Sequence, residues 1–353
     1  MERLVRTDAG DHLARSYLVA AYWSANRRHE AQSVLDAALR KNPTDLDALL
    51  QRAEVSLVLN RYAEAKVDID AALHENPNSA EAHYLSSRVS ALRGNWRVEQ
   101  QELSETLRLD PAALRVRLEL AELLLRTNGA KLALEVLDDA PQDQKRAVRL
   151  VVDRNWALIA LGDMTAARRG IDSGLAEQRS PDLLIQDGLW KLQRGEVAAG
   201  RSAFEQVLAV SPEDLRALGA LMQFYAAQKQ TAAGLERIRQ YAAKVPRSAP
   251  VQSFLGHVLM ANGRNAEARA VFIAACAASP NFRSAEMGLM ELDIADDKFD
   301  AARERLNKLL ASNPNDTAAR LWLANIDEMR GEHESALKAY RELLEMDPTT
   351  RRY

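Results

Sequence analysis

Prolines recur in this chain at a fixed interval of 34 residues, first at Pro43, Pro77 and Pro111 and again at Pro212, Pro246, Pro280, Pro314 and Pro348. The gap from Pro111 to Pro212 is 101 residues, one short of three periods, so eight of the 11 prolines lie on one grid with a single slip. A period in the range of about 20–50 residues means that one small unit recurs along the chain. Counted from His12, each window reads as an apolar helix, a turn, a second amphipathic helix and the proline. The 353 residues that would ordinarily predict two or three domains therefore read as one array.

Within a window three further places keep time. The fifteenth place, between the helices, holds Asn26, Asn60, Gly94, Asn128, Gly162, Gly195, Gly263 and Gly331, with Lys229 and Asp297 as exceptions. Helices commonly end in a left-handed residue, which Gly adopts without strain and Asn with little. The twentieth place holds Ala31, Ala65, Ala133, Ala167, Ala268, Ala302, Ala336, Gly200 and Gly234, and only Glu99 departs. A small residue at a fixed phase predicts close approach of two helix backbones, where a larger side chain would overpack the seam. The twenty-fourth place holds Leu35, Ile69, Leu103, Leu137, Ile171, Phe204, Ile238, Phe272, Leu306 and Tyr340, on the same helix face as the small residue.

The proline ends the second helix because it lacks an N–H and forces its predecessor out of the α region. Two residues later stand Asp45, Ser79, Asp214, Ser248 and Asp316, whose side-chain oxygens are expected to cap the next helix. Composition agrees with an all-α chain: hydrophobic residues make up 47%, aromatics only 5%, and Gly is scarce at 15, which rules out collagen-like and disordered classes.

A 34-residue helix–turn–helix window with small residues at the eighth place (Ala53, Ser87, Ala121, Gly188, Gly256, Ala324), Ala at the twentieth and Pro at the thirty-second resembles the tetratricopeptide repeat family. The resemblance implies a right-handed α-α superhelix, a solenoid whose first helices line a concave wall. Residues 1–11 read as the remnant of a preceding repeat, 12–349 as a single solenoid of ten repeats that is irregular around 138–181, and 350–353 as a tail. In the irregular middle Pro141 comes early, so that second helix is expected to stop near Asp139 and the following one to start near Asp143, while Pro181 marks the slip. Both ends look cut, which suggests a fragment of a longer array, and an uncapped end after Pro348 could pair with a second copy as a homodimer.

With 47 Lys+Arg against 50 Asp+Glu the net charge is −3, so the basic signature of a nucleic-acid binder is missing and no nucleic acid is expected as partner. The one cysteine excludes an intramolecular disulfide and leaves cytoplasm and periplasm open as compartments. No stretch approaches 18 consecutive apolar residues, so a soluble chain without membrane insertion is expected.

Catalytic and metal chemistry leave little trace in the sequence. The histidines His12, His29, His74, His83, His257 and His333 show no i, i+4 pair, and Cys276 stands among alanines as a small hydrophobe. Neither a metal nor a cofactor is expected, and the chain reads as no enzyme. Ser335-Ala-Leu-Lys338 and the pattern beginning at Asn315 are coincidences of spacing.

What does not repeat is the wall itself. The second, fifth, sixth, ninth and twelfth places put Tyr17, Trp23, Gln51, Glu54, Tyr84, Arg88, Glu119, Glu122, Asp153, Trp156, Gln186, Gln223, Phe254, His257, Glu291, Trp322, Asn325 and Glu328 on the concave face. Aromatics beside acids and amides suit capture of an extended peptide or a partner helix. The acidic run Glu119, Glu122 and Asp153 favours a basic partner segment. Family members that clamp a C-terminal carboxylate use Lys, Asn and Arg at phases that here hold Ser16, Ala20, Gln51, Glu81 and Leu85, so that clamp is absent. The expected function is a non-catalytic protein-interaction scaffold. The rival readings, by family analogy alone, are a scaffold of a bacterial secretion or polysaccharide-export assembly and the regulatory arm of a larger enzyme.

Overall fold

The computed structural model describes residues 12–314 and 316–346; the chain ends, Pro348 and Asn315 lie outside them. Among the described residues every regular element is a helix. They fall into two compact units, one up to Ser180 and one from Pro181. The first unit holds α1 (His12–Ser24), α2 (Arg28–Lys41), α3 (Leu46–Val58), α4 (Tyr62–Glu75), α5 (Ala80–Leu92), α6 (Trp96–Leu109), α7 (Leu114–Arg126), α8 (Ala130–Asp138), α9 (Val148–Ala160) and α10 (Met164–Glu177). The second holds α11 (Pro181–Gln193), α12 (Val197–Val210), α13 (Leu215–Ala227), α14 (Thr231–Ala242), α15 (Ala249–Ala261), α16 (Asn265–Ala278), α17 (Arg283–Ala295), α18 (Phe299–Ser312), α19 (Thr317–Met329) and α20 (His333–Met346).

Each unit is thus an α-α solenoid of five helix pairs. All ten residues at the fifteenth place have positive φ, Lys229 (56°) and Asp297 (59°) included. The turn is closed by paired bonds such as Asn60 N to Leu57 O (3.1 Å) and Arg61 N to Ser56 O (2.8 Å), and this pairing imposes the left-handed backbone even where Gly or Asn is missing. The small residues of the twentieth place are sealed in the seam: Ala31, Ala65, Ala133, Ala167, Ala268 and Ala302 are wholly buried, as are the large residues Leu35, Leu137, Ile171, Phe204, Ile238, Phe272 and Leu306 beside them. No single helix pair could bury these two stripes alone; stacking of neighbouring pairs makes the core.

Two local expectations are corrected. Helix α8 stops at Asp138 as anticipated, but α9 begins at Val148 and not near Asp143. The intervening chain makes turns, with Gln144 N bonded to Pro141 O (2.9 Å), Ala147 N to Gln144 O (2.8 Å) and the Gln144 side chain pinned to Ala112 O (2.7 Å). Asp45, Ser79, Asp214 and Asp316 cap their helices by accepting from Ala48, Ala82, Ala217 and Ala319 N–H, whereas Ser248 does not cap α15.

First helices of successive pairs touch one another, as α1 with α3, α3 with α5 and α7 with α9 in the first unit and α11 with α13 and α15 with α17 in the second. In each unit this side is therefore lined by first helices, and the side chains they leave uncovered there are the candidate binding groups.

Candidate functional site

In the first unit the fifth place of one window meets the sixth place of the next. Gln51 Nε2 donates to Ser16 Oγ at 2.6 Å, and the Tyr84 hydroxyl donates to Glu119 Oε1 at 3.0 Å. Burial, and then the Glu119 charge, push the Tyr84 phenol above its ordinary range. Arg115 donates to the same Glu119 oxygen (2.8 Å) and lies over the Tyr84 ring, 5.4 Å from its centre. One window on, Arg149 reaches Asp153 at 3.1 Å and Glu122 at 3.5 Å.

These pairs correct the reading of Glu119, Glu122 and Asp153 as an acidic run awaiting a basic partner: each already faces an arginine. Asp153 is only 4% exposed, and Gln186, at the same sixth place in the second unit, is 0% exposed. Neither is open to a partner.

Between α7 and α9 the surface sinks into a depression of about 600 Å³ lined by Leu114, Arg115, Leu118, Glu119, Glu122 and Arg149. Its floor is the two half-buried leucines, and its walls are the arginine–glutamate pairs just described. Tyr17 is 61% exposed, Glu54 is exposed, and Gln51, Arg88 and Trp156 are half-buried on their first helices. Glu54 and Asp47 face Glu81, whose carboxyl is raised by burial and by those two charges.

In the second unit the anticipated residues fall into two groups. On α15, Phe254 is half-buried and His257 Nε2 lies 3.2 Å from Ser284 Oγ, which also accepts from Ser253 Oγ at 2.8 Å; the His257 ring packs edge-on against Phe272. On α19, Trp322 is half-buried and packs onto the core cluster around Met290 and Leu306, and Asn325 Oδ1 meets the Tyr340 hydroxyl at 2.7 Å.

The tetratricopeptide repeat family matches residues 2–89 and 191–258 in one of its forms and 293–349 in another, more than half of the chain together. The chain is a tetratricopeptide repeat protein. The repeat fold is shared with yeast Tom70, at 13% identity over 97% of this chain and 86% of that one with a TM-score of 0.54. More distant likenesses are YrrB, described as a tetratricopeptide repeat protein with an unusual peptide-binding site (18% identity, 53% of this chain and 96% of that one, TM-score 0.45), and pilF of Pseudomonas aeruginosa (19% identity, 59% and 96%, TM-score 0.45). No curated protein matches the chain.

One device of these tetratricopeptide repeats escapes the sequence reading. At the fourth place, polar side chains reach back to the proline carbonyl: His83 Nε2 to Pro77 O (3.0 Å), Arg117 Nη2 to Pro111 O (2.7 Å) and Arg320 Nη2 to Pro314 O (2.8 Å). The spacing of six from the proline was available as a signal, but the place holds Arg, His, Gln, Glu, Leu or Val and so shows no residue preference. His12, Asp45 and Asp47 bring one ligand atom each within 4.8 Å of one another. Asp45 there is already held by Arg15 at 2.8 and 3.0 Å and by its own capping bond, so a guanidinium fills the cation's role. No helix among the described residues is long and apolar enough to cross a membrane.

Proposed function

We propose that this tetratricopeptide repeat protein is a non-catalytic scaffold that holds an extended segment of another protein, and not a nucleic acid, on the first-helix face of its first unit. The observation that carries this reading is the depression over Leu114 and Leu118. An apolar floor between paired charges seats one apolar side chain, and the ion pairs offer hydrogen bonds that fix register without demanding a net charge on the partner. Tyr17, Gln51, Glu54, Tyr84 and Arg88 continue the same face along α1, α3 and α5 and extend the footprint over several windows. Membership of a family of interaction modules supports the same reading.

Selection from a displayed library of random peptides tests it. Peptides enriched on the wild-type protein should bind Leu118→Glu at least about tenfold more weakly, because a charge would be placed on the apolar floor. The same peptides should bind Val67→Glu unchanged, since Val67 is exposed on the second helix α4. Equal loss in both variants, or in neither, would overturn the proposal.

A further inference from the structure

The turns inside the helix pairs of the first unit carry charge of one sign. In the first four windows the thirteenth to eighteenth places, which hold that turn, contain seven Arg or Lys and no Asp or Glu. The same places in the second unit contain five Arg or Lys against six Asp or Glu. The chain as a whole stands at −3, so the excess is local. Helices α1, α3 and α5 touch in succession, so their turns follow one another along one edge in steps of about 8–10 Å.

Two of these arginines are engaged, Arg27 by Glu30 (2.8 Å) and Arg61 by Glu64 (3.7 Å) and Gln32 (3.2 Å). The side chains of Arg28, Arg93 and Arg97 are exposed and, among the described residues, make neither an ion pair nor a hydrogen bond. Two of the three are nonetheless held in place. Arg28 lies over the Trp23 ring, 5.5 Å from its centre, and Arg97 over the Trp96 ring at 4.8 Å. Stacking fixes a guanidinium plane without using its N–H donors, which leaves the fork ready for a carboxylate. Arg93 and Arg61, from adjacent windows, line a depression of about 410 Å³ with Asn60 and Tyr62. Next to these arginines in the chain, Val58, Leu92 and Trp96 are 51%, 52% and 41% exposed. Large apolar side chains are thus left open beside uncommitted cations, the composition of a contact surface.

We propose that this turn edge of the first unit binds an acidic, extended segment of a partner protein. Its carboxylates pair with Arg28, Arg93 and Arg97, and its apolar side chains lie on Val58, Leu92 and Trp96. One step between turns equals about three extended residues, so the segment that fits repeats acids and an apolar residue every three. Glu30 and Glu64 stand among the arginines and disfavour a nucleic acid, whose every unit is charged, whereas a peptide can set its acids opposite the free arginines alone. The edge is not the first-helix face, so the two surfaces stand or fall separately.

Fluorescence anisotropy of the whole protein with a labelled peptide of the repeat Asp-Glu-Leu, about twelve residues long, tests the assignment. The wild type should bind it saturably below about 1 mM at moderate salt and should not bind the Lys-Lys-Leu counterpart. Arg93→Glu combined with Arg97→Glu should weaken the acidic peptide at least about tenfold and should take up the basic one. Both substitutions are at exposed side chains, so helix content should stay as it is. Leu118→Glu, which alters the first-helix face, should bind the acidic peptide as the wild type does. Equal binding of the two peptides by the wild type, undiminished binding by the charge-reversed variant, loss in Leu118→Glu, or tighter binding of an oligouridylate of equal charge would each overturn the proposal.

Discussion

The ring of Phe272 closes on two glycines: a Cβ at Gly256, in the same helix pair, would stand 2.4 Å from a ring carbon, and one at Gly288, in the next pair, 2.3 Å. Phe204 stands in the same relation to Gly188, at 2.4 Å. Both phenylalanines occupy the twenty-fourth place, and they are the two windows whose eighth place is glycine; where the twenty-fourth place is Leu, Ile or Tyr the eighth holds Ala, Ser, Asn, Val or Met. The two places are therefore one packing choice made twice.

Gly256→Ala tests which effect dominates there. Helix propensity favours Ala by roughly 1 kcal/mol, but the ring of Phe272 is wholly buried and has nowhere to swing. We expect a net destabilisation of about 1–3 kcal/mol in urea unfolding. Adding Phe272→Leu should recover part of it, so the double variant should be more stable than the two single losses predict.

Much of this was legible in the sequence because packing repeats. The fifteenth, twentieth and twenty-fourth places carry side chains chosen by backbone geometry and seam width, and each falls where the periodicity puts it. The binding face was less legible. Helical phase placed Asp153 and Gln186 on it, but a phase names a direction and not a depth, and both side chains are buried. Pairing was only partly legible: Arg115 with Glu119 and Arg149 with Asp153 stand four apart on one helix, a spacing that brings opposite charges together, whereas the reach of Arg149 to Glu122 on another helix leaves no mark in the linear sequence.

The fourth-place latch predicts a large effect from one arginine. Arg117 is buried and donates to Val136 O (2.5 Å) and Pro111 O (2.7 Å), and burial pulls its own affinity for the proton down. Arg117→Met removes the buried guanidinium and its two bonds to backbone carbonyls and should cost about 1–3 kcal/mol in urea unfolding. Arg117→Lys, with one compact head in place of the fork, should lose less.

Acid should erase one interloop contribution. The Arg283 guanidinium, bonded to Asp316 at 2.7 and 3.1 Å, holds that carboxyl below the usual range, and the capping bond from Ala319 N–H adds to this against burial. A depressed carboxyl stabilises the fold above its ordinary pKa, and the contribution is lost as pH falls through the depressed value. Asp316→Asn keeps a capping oxygen but not the charge, so it should cost about 0.5–1 kcal/mol near pH 7. Wild type and variant should converge when unfolding is measured well below about pH 4.

Cys276 should be a sluggish thiol. Burial, and then the charge of and hydrogen bond to Glu286, push it up to about 11. Alkylation by iodoacetamide near neutral pH should be much slower than for a free cysteine, and its rate should climb with pH until it levels near 11. Glu286→Gln should speed the reaction at a given pH.

The central claim is that a partner lies on the first-helix face of the first unit. Photo-crosslinking addresses it directly, with p-benzoylphenylalanine placed at Glu122, which lines the depression over Leu118, or at Val67, exposed on the second helix α4. The account predicts discrete protein adducts from position 122 and none from position 67. Adducts from position 67 alone, or the same adducts from both, would contradict it.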